Sequence, residues 1–169
     1  MQSESVIQKV KDAVIKAGSS FREDQLESYR QLILKEKDPK VRWLLENLLE
    51  NAVIAEQNQS PLCDDTGIPH ILLEIGINRQ ISGEFIQWIQ EGIAVGLREL
   101  PGRPMAIKGD EIQRLDQSGG LLEDPGALIA APILIKNIAE DIIKLHVLLL
   151  GGGPEIRSKT YRVYHRHQV

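Results

Sequence analysis

The chain has 169 residues, 42% of them hydrophobic and 26% charged, with a formal net charge of −4. That bounds it to one globular domain, or one domain with an appendage, and excludes a disordered composition. It has no basic excess to neutralise nucleic-acid phosphates and no apolar run of the roughly 18 residues that span a bilayer. Its single cysteine, Cys63, excludes an internal disulfide and fits a reducing, cytoplasmic compartment.

The first 57 residues read as helical. Val6, Val10 and Val14 recur at helical spacing, and Gly18-Ser19-Ser20 ends that run. Ser20 and Glu23 form a capping-box pattern for a second helix carrying Leu26, Tyr29 and Ile33. Asp38-Pro39 starts a third, Asp as N-cap and Pro at the first helical position. Its stripe of Val41, Leu44, Leu45, Leu48, Leu49, Ala52 and Val53 runs to about Gln57 and predicts a strongly amphipathic helix. Asn58-Gln59-Ser60-Pro61 breaks the chain, and Cys63-Asp64-Asp65-Thr66-Gly67 carries turn chemistry that predicts a loop. Ile71 to Gly76 predicts a buried strand, and Ser82 caps a helix with the stripe Ile86, Ile89, Ile93 and Leu97. A polar, glycine-bearing loop is expected from Ala106 to Asp124. Two strands, Ala127–Ile135 and Ile142–Leu150, would then pair antiparallel about a turn at Asn137–Glu140. Helices followed by mixed strands and helices give an α+β class. A single domain is expected, helical over residues 1–57 and mixed α/β over residues 58–169.

Four constellations could carry chemistry. At Cys63 a thiol beside Asp64 and Asp65 could ligate a metal or cluster, with the carboxylates orienting substrate or moving protons. The plain alternative is a half-buried cysteine beside a solvated acidic turn. Two adjacent carboxylates argue against a nucleophilic thiol, because they raise its pKa. Arg103, between Gly102 and Pro104, presents a fork suited to a carboxylate, with Arg98, Lys108 and Asp110-Glu111 nearby in sequence. Gly151-Gly152-Gly153 would let the backbone approach an anion, yet matches neither a phosphate-binding loop nor a dinucleotide fingerprint. The basic tail through His165-Arg166-His167 reads as a solvated charge run. His70 and His146 read as satisfied core or edge histidines.

Taken in order, these segments resemble the N-terminal, alpha-type domain of class I fumarases and L-tartrate dehydratases. The matching pieces are Pro61-Leu62-Cys63-Asp64-Asp65-Thr66-Gly67, the strand ending Glu74-Ile75-Gly76, the arginine-bearing loop Leu97–Ala106, and the strand entering Gly151-Gly152-Gly153, over about residues 40 to 160. The resemblance implies that Cys63 is one of three cysteine ligands of a [4Fe–4S] cluster whose open iron binds substrate. It places Asp65 as a catalytic neighbour of the substrate, Asp64 beside it where many members carry Gln, and Arg103 on a substrate carboxylate. Gly152 and Gly153 would close over the substrate. It also places the other two cysteines beyond the triple glycine, and a proton-abstracting threonine in a second domain or beta-type subunit. A chain ending at Val169 is therefore expected to be cut short within the domain and inactive alone.

The leading expectation is a component of a hydro-lyase that reversibly dehydrates a small hydroxy-dicarboxylate of the malate/fumarate or tartrate type. It would work in an oligomer with a beta-type subunit or a missing C-terminal portion. The alternatives are a truncated non-catalytic remnant, or a small-anion binding module without a cluster.

Overall fold

The computed structural model describes residues 2–63, 67–100, 124–128 and 130–151. Among them, four α-helices precede or cross a three-stranded sheet: α1 Gln2–Ser19, α2 Glu23–Lys35, α3 Pro39–Asn58, β1 Ile68–Gly76, α4 Gly83–Glu99, β2 Leu134–Ile138 and β3 Ile143–Leu150. The α+β class is observed. Among the described residues no helix is long and apolar enough to cross a membrane.

The helix starts follow local chemistry. The Asp38 carboxylate accepts from the Lys40 N–H at 2.8 Å with Pro39 beside it, and the Ser82 hydroxyl accepts from the Phe85 N–H at 3.2 Å. The predicted Ser20–Glu23 box does not form. The Ser20 hydroxyl instead donates back to the Lys16 carbonyl at 2.7 Å and closes α1. The start of α2 is held slightly later in the chain, where the Gln25 side chain accepts from the Arg22 N–H at 3.0 Å.

The core is one layer of helices on one face of the sheet. Val10 and Val14 of α1, Ile89, Ile93 and Leu97 of α4, and Ile71, Leu73 and Ile75 of β1 form a single buried cluster with Leu128. The two helices approach closely because α4 carries Gly92 and Gly96 one turn apart. A Cβ at Gly92 would lie 2.6 Å from the Val10 Cβ, and one at Gly96 2.8 Å from the Val14 Cβ. Lys11 and Glu99 close the seam with a 2.9 Å ion pair.

The strand order is β2-β1-β3, with β2 parallel and β3 antiparallel to β1. This corrects the expected hairpin: β2 and β3 flank β1 and do not pair with each other. The strand predicted at Ala127–Ile135 is also shifted, because Pro125–Ala127 is a 3-10 turn and β2 begins at Leu134. The link from Ile138 to Ile143 wraps around the end of β1, where the Gly76 N–H donates to the Ile142 carbonyl at 2.8 Å. A side chain at Gly76 would run into the Glu140 carbonyl, so glycine permits the crossing. Arg79 then holds Asp141 through a 2.7 Å ion pair.

Candidate functional site

The turn leading to Cys63 is pinned from two sides. Helix α3 ends at Gln59 in the left-handed region, φ 50. The Leu62 N–H donates to the Gly18 carbonyl of α1 at 2.9 Å, and the Asn51 amide of α3 donates to the Leu62 carbonyl at 3.0 Å. Cys63 follows in a bend and is exposed, which corrects the half-buried reading. A cleft of about 340 Å³ beside this turn is lined by Lys16, Ser19, Glu56 and Gln59 among others, with Lys11 held by Glu99.

The topology brings the other predicted segments to the same end of the sheet. Ile68, the first residue of β1, pairs with Leu150, the last of β3, so Gly151 emerges beside the strand that Cys63 leads into. Because β1 and β2 are parallel, the crossover through α4 must return the chain to the N-terminal end of β1. There the Ala131 N–H donates to the Pro69 carbonyl at 3.0 Å. Arg98, in the last turn of α4, grips both carboxylate oxygens of Asp124, with Nε–Oδ1 at 2.9 Å and Nη2–Oδ2 at 2.8 Å. Arg98 is thus a tie between α4 and the chain returning to β2, not a substrate group. The guanidinium holds the Asp124 carboxyl below the usual range, assisted by the Gly126 N–H. Asp64, Asp65, Arg103, Gly152 and Gly153 lie outside the described residues. The points where their segments leave the described chain, at Cys63, Leu100 and Gly151, are at this one end.

Two features of the open sheet face were not foreseen. Pro69, Ile71, Leu73 and Ile75 face the helices, and the alternate residues His70, Leu72 and Glu74 face away. Glu74 accepts from Lys136 on β2 at 2.9 Å and is bonded to His146 Nε2 on β3 at 2.9 Å, tying all three strands together. These bonds, first from Lys136 and then from His146, lower the Glu74 carboxyl from its ordinary 4.5 to about 2. A group lowered on folding stabilises the fold above its unfolded pKa, and that contribution disappears as pH falls through the folded value. Glu74→Gln should therefore melt at a lower temperature than the wild type above pH 4.5. The difference should shrink steadily between pH 4.5 and about 2, followed by circular dichroism; a difference independent of pH would contradict the assignment. His146 is thus partnered as expected. His70 is not: its Nε2 is buried with no hydrogen-bond partner among the described residues.

As a donor set for an iron–sulfur group, the described residues offer the exposed Cys63 thiol, and no group of three or more His, Cys, Asp or Glu side chains is placed to hold a metal. Cys63 fits as one ligand of a shared cluster; the described residues do not form a complete one.

The family model described as fumarate hydratase (Fumerase) matches residues 7–169. The chain belongs to the fumarate hydratase family. The match reaches back through α1, further than the resemblance from about residue 40, so the helix that carries the Gly18 anchor is part of the family domain. A protein of Methanocaldococcus jannaschii named as a putative L(+)-tartrate dehydratase alpha subunit is 33% identical over 105 residues, 59% of this chain and 37% of that protein. A Geobacillus stearothermophilus protein named as a putative class I fumarate hydratase is 28% identical over 141 residues, 78% of this chain and 25% of that protein. The matched region thus spans well under half the length of either relative.

Proposed function

We propose that this member of the fumarate hydratase family is one component of a hydro-lyase acting on a small hydroxy-dicarboxylate of the malate/fumarate or tartrate type. The observation that carries the reading is the pinned turn that presents an exposed Cys63 at the sheet end where Gly151 and the α4 crossover also arrive. In this reading Cys63 holds one corner of a [4Fe–4S] cluster as thiolate. Such a cluster, when bound, supplies a Lewis acid for the departing hydroxyl oxygen.

This chain's own groups do the rest of what it contributes. Arg103 takes a substrate carboxylate with its two-pronged fork. Asp65 lies beside the reacting carbons and exchanges a proton with the leaving or entering oxygen, and Asp64 contacts the substrate next to it. The backbone N–H groups of Gly152 and Gly153 approach the second carboxylate. A further portion beyond the triple glycine supplies two more cysteines, and a second domain or beta-type subunit supplies the base that takes the proton alpha to the carboxylate. The M. jannaschii relative is named as an alpha subunit, which supports a division of labour of this kind.

The test is anaerobic co-production of this chain with a beta-type polypeptide and a portion that carries two further cysteines. Hydration of fumarate and dehydration of L-malate and L-tartrate would be followed by ultraviolet absorbance and product analysis. Turnover should require every component and fall to background when this chain is omitted. An iron-loaded assembly with none of these activities would leave the chain a binding module and overturn the reading.

A further inference from the structure

The cleft beside the Cys63 turn lies where three helices end. Lys16 and Ser19 of α1, Glu56 and Gln59 at the end of α3, and Glu99 of α4 all line it, and each stands in the last turn of its helix or caps it. Helix C-termini present carbonyl oxygens and a partial negative charge, which a nearby cation stabilises. Two of the three ends already have one. Lys16 stands in the last turn of α1, and Lys11 pairs with Glu99 at the end of α4 at 2.9 Å. The end of α3 has no basic residue in its last turn. It carries Glu56 instead, which has the same sign as the helix end and makes no ion pair among the described residues. A local conflict of this kind marks functional positions.

The charges of the whole cleft agree. The carboxylates of Asp12, Glu56 and Glu99 share it with the ammonium groups of Lys11 and Lys16, so it is short of positive charge. Asp12 also accepts from the Gln8 amide at 2.8 Å, which leaves Glu56 as the unengaged carboxylate. Ser19 supplies an independent observation. It is 3% exposed and lines the cleft, and its hydroxyl makes no hydrogen bond among the described residues. Buried hydroxyls in folded proteins are nearly always bonded. The Glu56 carboxylate, the Gln59 amide oxygen and the Ser19 hydroxyl oxygen thus offer acceptors to one space, and a primary ammonium group brings three N–H donors. The cleft volume, about 340 Å³, is that of a pocket for a small organic ligand. Among the described residues no group of three or more His, Cys, Asp or Glu side chains is placed to hold a metal. We propose that this cleft binds the primary ammonium group of a small amine. The site stands apart from the hydro-lyase reading, since it uses neither Cys63 nor any substrate group. It does share its walls with the Cys63 turn. The ends of α1 and α3 flank Leu62, which is held by the Gly18 carbonyl and the Asn51 amide, so an occupied cleft should slow hydrogen exchange at the Leu62 N–H.

The test is a nuclear magnetic resonance titration of the isotope-labelled full chain with ethylammonium chloride. Choline chloride, whose quaternary nitrogen has no N–H, holds the ionic strength constant so that screening does not change. The expected result is saturable movement of the Ser19, Glu56 and Gln59 amide signals, with slower exchange at Leu62. Potassium chloride in place of ethylammonium should leave those signals unmoved. Glu56→Gln, at an exposed position that tolerates the change, should weaken binding about tenfold, the loss expected for one hydrogen bond to a charged group. Ser19→Ala should weaken it by a smaller factor, and Glu46→Gln, on α3 but outside the cleft, should leave it unchanged. No saturable shift, equal shifts with potassium, or wild-type binding by Glu56→Gln would each overturn the proposal. So would binding that leaves Leu62 exchange unchanged, since it would place the amine away from the junction of α1 and α3.

Discussion

Leu73→Ala should lower the melting temperature of the chain by roughly 10 °C. Leu73 is 0% exposed at the middle of the central strand, with Ile135 and Leu145 as its register partners and the α1 and α4 side chains above it. Large-to-small changes at such a site cost about 2–5 kcal/mol, because the removed atoms lose their burial and the surroundings close only partly over the cavity. A chain of this size loses roughly 2–4 °C per kcal/mol, and total stabilities run only to about 5–15 kcal/mol. The contrast is Leu134→Ala in the same sheet. Leu134 lies on the open face of an edge strand and is 67% exposed, so its truncation should stay within about 0.5 kcal/mol. Equal losses at the two positions, measured by thermal and urea unfolding, would mean that the helices do not cover the face the structure assigns to them.

The elements were legible where the signal is local. The stop after Ser19, closed by the Ser20 hydroxyl, and the starts at Asp38-Pro39 and Ser82 depend on side chains reaching backbone groups within a few residues, and those helices begin and end where the local chemistry predicts. The Ser20–Glu23 box failed because the same hydroxyl has a competing acceptor in Lys16. The strand pairing failed for a non-local reason. Sequence proximity favours a β2–β3 hairpin, but inserting β1 between them buries its alternate residues under α1 and α4. Along the apolar stripe of α3, Ala52 is buried while Leu44 is 51% exposed, and that was illegible because periodicity reports which face is apolar and not what covers it.

At the candidate site, the order of motifs was readable, and the topology places the chain around Cys63 and Gly151 at one end of the sheet. The Glu74–Lys136–His146 cluster was not readable, because its partners lie 62 and 72 residues from Glu74 and only the sheet register brings them together. The His70 nitrogen, unpartnered among the described residues, gave no sequence signal either; it depends on what the fold leaves beside it.

The other large effect is expected at Cys63. Alanine there removes the one thiolate this chain can offer to iron. The turn itself is fixed by the Leu62 bonds to Gly18 and Asn51, none of which involves the Cys63 side chain, and the residue is exposed. The substitution should therefore leave stability within about 0.5 kcal/mol while removing iron binding and turnover together. A purely structural cysteine would show the reverse, lost stability with iron retained. The most direct measurement is iron and acid-labile sulfide per assembly, after anaerobic reconstitution of wild-type and Cys63→Ala chains with the beta-type polypeptide and a C-terminal portion that carries the other two cysteines. The predicted result is a full [4Fe–4S] complement in the wild type and background levels in the variant at an unchanged melting temperature. Equal iron and sulfide in both would remove Cys63 from the ligand set and contradict the account.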